Sequence, residues 1–459
     1  MFIPTSVNEE RTKRKVLSYG LPREIPHEDY VDGNVIYSDG SFGRMYRLSP
    51  VFIDSLDELE QENYASAVAA AVAVQGCDIQ FVWRKKADLP LLDGNRDLSD
   101  PVLYLMAEDR KKMFLEMAQK EELFSVSAEM WIRKKYPRAV PGSLSAFVEM
   151  NEEKAMQRYL QEHNALSADF SILCDSVVSP LERYLKPRVA SPEEVVSSLW
   201  DYFVGNRDFP EWKCEKPIRS LFAGTDVARR WGYMAVGNRN ERLISVLSLD
   251  DIPSYSFVSM INHLLFIPME MTVVANVRAL PTDRVKDDLR KLYRRYTSGI
   301  IANDPEMQER AAEVDVLLRE LETTSGQMAS IELYVVLSDK TVQGLSKKIS
   351  VVTSAAKSRA DMTLRQEKAA LHLAWRAAMP GWCYVGTTDR DFKIMTKNAA
   401  DLAPLLGPPA SSENPLFFVK APYATLCGID IFDPRLPAGH GLTVGSTGSG
   451  KSFTMSLLL

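Results

Sequence analysis

The sequence predicts an α/β chain: a mixed α+β N-terminal region with a helical insert, then the start of a nucleotide-binding domain. Three observations predict it. Two strand–helix–strand runs, at 34–86 and 243–279, flank a long stretch of helical periodicity. The run GSTGSGKS, residues 445–452, stands between a short apolar strand and an apolar helix. The composition is that of globular protein: of 459 residues 46% are hydrophobic and 25% charged, and 55 Lys and Arg face 61 Asp and Glu for a formal net charge of −6. That balance excludes a collagen-like, disordered or disulfide-scaffold protein. It also excludes a surface that is basic throughout, as whole-surface nucleic-acid binding requires.

Residues 1–33 are polar and dotted with proline, and read as an arm leading into the fold. Over 34–50, Val35 and Tyr37 alternate with neighbours on the other face. Asp39-Gly40 supplies a turn, and Met45, Tyr46 and Leu48 continue beyond it, which predicts a β-hairpin. Residues 56–74 read as a helix whose acidic start complements the helix dipole, with Gly76 as its stop. CDIQFVWRKK, 77–86, reads as a strand, and the Pro, Asp and Gly of 88–101 as a loop. From Glu108 to Val204 the pattern is helical in several pieces, an insert over about 105–205. It is densest at 158–185, where Pro180 punctuates it. A second irregular connection spans 205–220.

The second unit places a strand at 243–249, a helix at 253–266 with Pro253 in its first turn, and a strand at 271–279. The two units suggest two copies of one split, ferredoxin-like sheet, although no residue-level repeat accompanies them. Helices are expected at 283–297 and 305–324, a strand at 331–338, helices at about 340–356 and at 361–379, and a short helix at 398–406. Pro408-Pro409 and Ser411-Ser412 mark the domain boundary, which separates an assembly region, 34–410, from the beginning of the nucleotide domain, 411–459. LFFVKAP, LCGIDIF and GLTV beyond it are strand-like.

Five scattered cysteines form no CxxC pair, which argues against a structural zinc site and for a reducing compartment. The first 15 residues put charge where a signal peptide has its apolar core. The most apolar stretch, 257–277, contains Asn262, His263, Pro268 and Glu270 and reads as helix, break and strand rather than as a span of about 20 apolar residues. The expectation is a cytoplasmic chain whose membrane attachment, if any, is peripheral.

GSTGSGKS matches G-x-x-x-x-G-K-[ST] in full, a match that chance supplies about once in a hundred such chains. Glycines at 445, 448 and 450 let the loop wrap closely. The backbone N–H groups of Gly445, Ser446, Thr447, Gly448, Ser449 and Gly450 then converge on phosphates at a helix N-terminus. Lys451 would reach the β- and γ-phosphates, and Ser452 would hold Mg²⁺, so ATP and Mg²⁺ are the expected cofactors. The metal-binding carboxylate of such a motor follows the loop in the chain. The one acidic strand end, LISVLSLDD at 243–251, precedes it, so Asp250 and Asp251 read as a strand end entering a helix cap. The catalytic residues stay unassigned. Only eight residues follow Lys451, which implies that the chain stops inside its motor domain. His440 reads as a loop histidine.

Basic runs stand at 11–15, 110–112, 133–138 and on the helix 284–296. On that helix Arg290, Lys291, Arg294 and Arg295 follow Asp287 and Asp288, which suits a solvated face of paired charges. The sharper alternative is contact with anionic headgroups or a partner platform.

His440 followed by GLTVGSTGSGKS, after a long α/β region, resembles the conjugative type IV secretion ATPases, the TraC / VirB-four family. Softer matches lie upstream in the expected order: the Asp39-Gly40 hairpin, Gly76 to Phe81 as G-x-x-x-Q-F, Leu264 to Glu270 as L-L-x-x-P-x-E, Pro380-Gly381, and 398–405 as N-A-A-x-L-x-P-L. The resemblance covers residues 30–459. It implies a RecA-like motor and a cytoplasmic, hexameric ATPase docked peripherally at the bacterial inner membrane. Its N-terminal region would meet inner-membrane platform proteins and a coupling ATPase, and the machine would assemble pili and transfer DNA or protein. The loop roles carry over to Gly445, Gly448, Gly450, Lys451 and Ser452. Two rivals stay open: a DNA translocase of the FtsK/HerA or coupling-protein type, whose coupling members usually carry N-terminal membrane spans, and a non-catalytic assembly scaffold.

Overall fold

The computed structural model describes residues 18–87, 101–136, 152–205, 212, 217–237, 242–253, 255–298, 304–323, 326–383, 385–386, 388–412, 415–434 and 444–452. Among them the first half of the chain runs β1 (Ser18–Gly20), β2 (His27–Val31), β3 (Asn34–Tyr37), β4 (Phe42–Leu48), α1 (Glu58–Val72), β5 (Asp78–Lys86), α2 (Pro101–Gln119), β6 (Ser125–Lys134), α3 (Glu152–Val178), α4 (Glu182–Leu185), β7 (Arg188–Val189) and α5 (Pro192–Phe203). The second half runs β8 (Asp226–Arg230), β9 (Tyr233–Val236), β10 (Arg242–Asp251), α6 (Asn262–Leu265), β11 (Met271–Ala279), α7 (Thr282–Thr297), α8 (Pro305–Thr323), β12 (Met328–Asp339), α9 (Val342–Ala360), β13 (Thr363–Gln366), α10 (Leu371–Ala377), β14 (Phe392–Met395), α11 (Thr396–Asp401), β15 (Phe417–Ala421) and β16 (Thr425–Ile429).

A large antiparallel sheet with helices on both faces makes this a mixed α/β fold. Its main order is β1-β8-β9-β10-β12-β11-β5-β6-β4-β3-β2, with β13 added on β10, β14 on β12 and β7 on β4; β15 and β16 pair separately. The order has an internal mirror. In β4-β6-β5 and in β10-β12-β11 the last strand in sequence inserts between the first two, and the halves join at β5 and β11, where Val82 faces Val274. The duplication expected from the two β–α–β units is therefore present in topology, without a residue-level repeat.

Both faces of the sheet are buried. Ile79, Phe81 and Trp83 of β5 pack into one core with Tyr64 and Val68 of α1, Phe170 of α3, Val352 of α9 and Ala399 of α11. Val82, Trp131 and Tyr334 point to the other face, where Leu199 and Phe203 of α5 and Trp375 of α10 cover them. Trp83, Trp131 and Trp375 are fully buried, and truncating such a side chain to Ala costs about 3–5 kcal/mol. Helix ends follow local chemistry: Asp57 accepts from the Glu60 N–H to open α1, and Ser191 with Glu194 forms a reciprocal capping box on α5.

Several expectations need correction. The insert is not wholly helical, because 125–134 is β6, a strand inside the sheet. Val126, Ala128, Met130 and Ile132 alternate with Ser127, Glu129, Trp131 and Arg133, but Glu129 and Arg133 are themselves buried, so the period of two carries no polar–apolar contrast. The helix expected over 361–379 divides into β13 and α10. Of the helix expected at 253–266, only Asn262–Leu265 is helical among the described residues. Residues 18–33, read as an arm, contribute β1 and β2, and β8 and β9 were not anticipated. Pro180 does break the long helix, between α3 and α4. All but Val444 of the strand expected at 440–444, and all but Ser452 of the helix expected at 452–459, lie outside the described residues.

Candidate functional site

The loop 444–452 is a compact, exposed turn. Gly448 and Gly450 take φ of +82° and +85°, a region that side chains disfavour. At neither position would a Cβ meet anything within 4 Å, so backbone conformation, not space, calls for glycine there. Gly445 differs: a Cβ on it would lie 2.5 Å from Ser449 Oγ. The Ser449 N–H donates to Ser446 O at 3.2 Å, closing the turn. The Lys451 ammonium folds back and donates to Gly445 O at 2.7 Å and Ser446 O at 2.8 Å. Lys451 and Ser452 are helical. Gly445 to Gly450 and Ser452 are exposed, and Val444 is 81% exposed. His440 lies outside the described residues.

Asp250 and Asp251 are not part of this loop. Asp250 pairs with Arg365 at 3.0 Å, and Asp251 is in register with Thr363 of β13, so they end a paired strand rather than cap a helix. Among the described residues no group of three or more His, Cys, Asp or Glu side chains could hold a metal ion. On the basic helix α7, Arg290 pairs with Glu322 of α8 at 3.0 Å and Lys291 with Asp288 at 3.2 Å, as a solvated, charge-paired face requires. No helix among the described residues is long and apolar enough to cross a membrane.

The upstream motif residues take up packing and hydrogen-bonding positions. Gln80 of β5 donates to Asn276 Oδ1 at 2.9 Å and Met379 O at 3.1 Å, and its Oε1 accepts from the Gly381 N–H at 2.8 Å. Gly381 has φ +77°, and a Cβ there would come within 2.8 Å of the Tyr37 hydroxyl and the Trp131 ring. Asp39 accepts from Arg133 at 2.6 Å; burial works to raise its carboxyl, but the Ser41 hydroxyl and Arg133 outweigh it and hold it below the usual range. Asn398 donates to Ser256 Oγ at 2.8 Å.

The Gln80 contacts belong to a buried polar network that the sequence reading did not foresee. Glu332 of β12 accepts from the Gly386 N–H at 2.9 Å, Thr388 Oγ1 at 3.1 Å and Asn276 Nδ2 at 3.3 Å, while burial pushes its carboxyl up. Ser248 and Arg390 both donate to Glu367. Together these bonds fasten Met379, Gly381, Gly386, Thr388 and Arg390 across the sheet. The available signal was polar residues at alternate positions of otherwise apolar strands, as at Gln80, Asn276 and Glu332.

The chain matches no model of a known protein family, and no curated protein matches it.

Proposed function

We propose that residues 445–452 form the phosphate-binding loop of an ATPase, with Gly445, Ser446, Thr447, Gly448, Ser449, Gly450 and Lys451 holding the phosphates of ATP and Ser452 contributing to Mg²⁺. The observation that carries this reading is the conformation of the loop. Gly448 and Gly450 sit at positive φ shortly before the helical residues Lys451 and Ser452, and the lysine is folded over the loop's own carbonyls. The residues fit a nucleotide: a loop of small residues admits phosphate oxygens close to the backbone, and the lysine supplies their counter-charge. Mg²⁺ characteristically takes few protein ligands and several phosphate or water oxygens, so one hydroxyl is an adequate protein contribution.

Together with the resemblance to the TraC / VirB-four family, this supports a RecA-like motor that energises type IV secretion or conjugative transfer. In that reading 34–410 serves docking and hexamer assembly at the inner membrane, and the substrate is DNA or protein. The test is Mg²⁺-dependent ATP hydrolysis by the protein expressed from its own gene. Lys451→Ala should reduce turnover at least 100-fold with unchanged thermal unfolding. Turnover that is absent in the parent, or indifferent to Lys451, would overturn the proposal.

A further inference from the structure

A second set of charges gathers far from any use by the loop. A cleft of about 1070 Å³ opens at one end of the sheet, where the C-terminal ends of β5 and β12 meet the N-terminal ends of β6 and β11 and the last turns of α5. No described residue of 444–452 lines it. Among its described lining residues cations outnumber carboxylates seven to four.

The carboxylates are already engaged. Asp201 pairs with Lys86, Glu121 and Asp339 take Lys348 at 3.0 and 3.5 Å, and Glu270 accepts from the Ala87 N–H at 3.0 Å. Arg47 reaches Glu129 at 3.3 Å and Glu194 at 3.7 Å, whereas two of the cations direct their hydrogen bonds only to neutral groups. The Arg242 guanidinium donates to Asp201 O at 2.8 Å, Tyr202 O at 3.1 Å and Ser338 Oγ at 3.2 Å. The Lys85 ammonium donates to Leu265 O at 3.2 Å and Ile267 O at 3.0 Å. Arg84 is 4% exposed; one amino group reaches Glu129 at 2.9 Å, but its Nε meets no acceptor.

Collecting like charges in a partly desolvated cavity is unfavourable unless an anion answers them. A cleft with low-dielectric walls and one sign of excess charge concentrates such anions. Backbone carbonyls fix the Arg242 fork in place, so little side-chain freedom is lost when an anion arrives. Ligand cavities span about 300–1000 Å³, so this one suits a chain of phosphates rather than a single phosphate. Trp200 and Tyr202 add aromatic surface to one wall.

We propose that this cleft binds a small polyanion bearing a phosphate chain, as free polyphosphate or as a nucleoside polyphosphate, at a site separate from the loop at 445–452. The test is calorimetric titration of Lys451→Ala protein, which disables the loop, with inorganic tripolyphosphate and with ATP at low salt. Saturable binding is expected. It should weaken at least tenfold when Lys86→Ser and Lys340→Ser are added, and tighten severalfold with Glu121→Gln, which removes one of the two carboxylates that hold Lys348. Tightening cannot arise from misfolding. Arg290→Ser with Arg294→Ser on α7 should change nothing. Tighter ATP than tripolyphosphate binding identifies a nucleoside ligand, and equal affinity identifies the phosphate chain itself. The absence of saturable binding, or binding unmoved by the cleft substitutions, would sink the proposal. Neither result depends on whether Lys451 supports hydrolysis.

Discussion

Lys85 is a cation held inside the protein with no carboxylate in contact, under the rings of Phe124 and Tyr423 at 5.2 and 5.9 Å. Burial lowers its pKa from 10.5 to about 7. Between those values the unfolded chain keeps a proton that the folded chain has lost, so stability rises with pH across that window. Below about pH 7 both states are charged and the burial penalty is complete. The whole effect amounts to roughly 5 kcal/mol. Urea midpoints of the parent minus those of Lys85→Met, taken from pH 7 to 10, should therefore climb. A difference that stays flat would show that the ammonium is not held as described. The subtraction removes the opposing contribution of buried tyrosines and cysteines, which both proteins share.

At the scale of an element, the described residues of 377–391 form a strap over one face of the sheet, pinned by Gln80, Asn276, Glu332 and Glu367. Gly381 is its tightest point. Gly381→Ala has to adopt a left-handed backbone and push into Trp131 and Tyr37, which together cost about 2–4 kcal/mol. Equilibrium unfolding measures this directly, and a midpoint within error of the parent would contradict the described packing. The strap also shows where sequence reading reaches its end. The strand 271–279 and the helices α1 and α7 were legible because their signals are local, such as the acidic start and Gly76 stop of α1 and the charge spacing of α7. So was the need for glycine at 448 and 450, which answers to backbone geometry. Gln80 and Gly381 are 301 residues apart, and nothing local marks them as partners. β6 escaped for a related reason: Glu129 and Arg133 are buried by long-range pairing, with Arg84 and Asp39.

Across the whole molecule, the β5–β11 seam is an ordinary ladder inside the sheet, with seven residues of each strand in register. One core spans Trp83 and Met130 of the first half and Val273 and Leu333 of the second. The two mirrored halves accordingly cannot part without opening shared apolar surface. Calorimetry of the chain should show the halves melting in one cooperative transition, with buried substitutions in either, such as Ile132→Val or Leu333→Ala, moving the same peak. Separate peaks that respond to one substitution each would refute this.

A sheet covered on both faces also governs how such a sequence can drift. An ordinary half-exposed strand offers every second position to neutral change. Here β12 runs through ten consecutive buried positions from Met328 to Leu337. Tolerated variation is pushed to the outer faces of helices such as α7, which has no buried residue. Descendants of this chain would keep whole strands as unbroken blocks while their surface helices diverge beyond recognition.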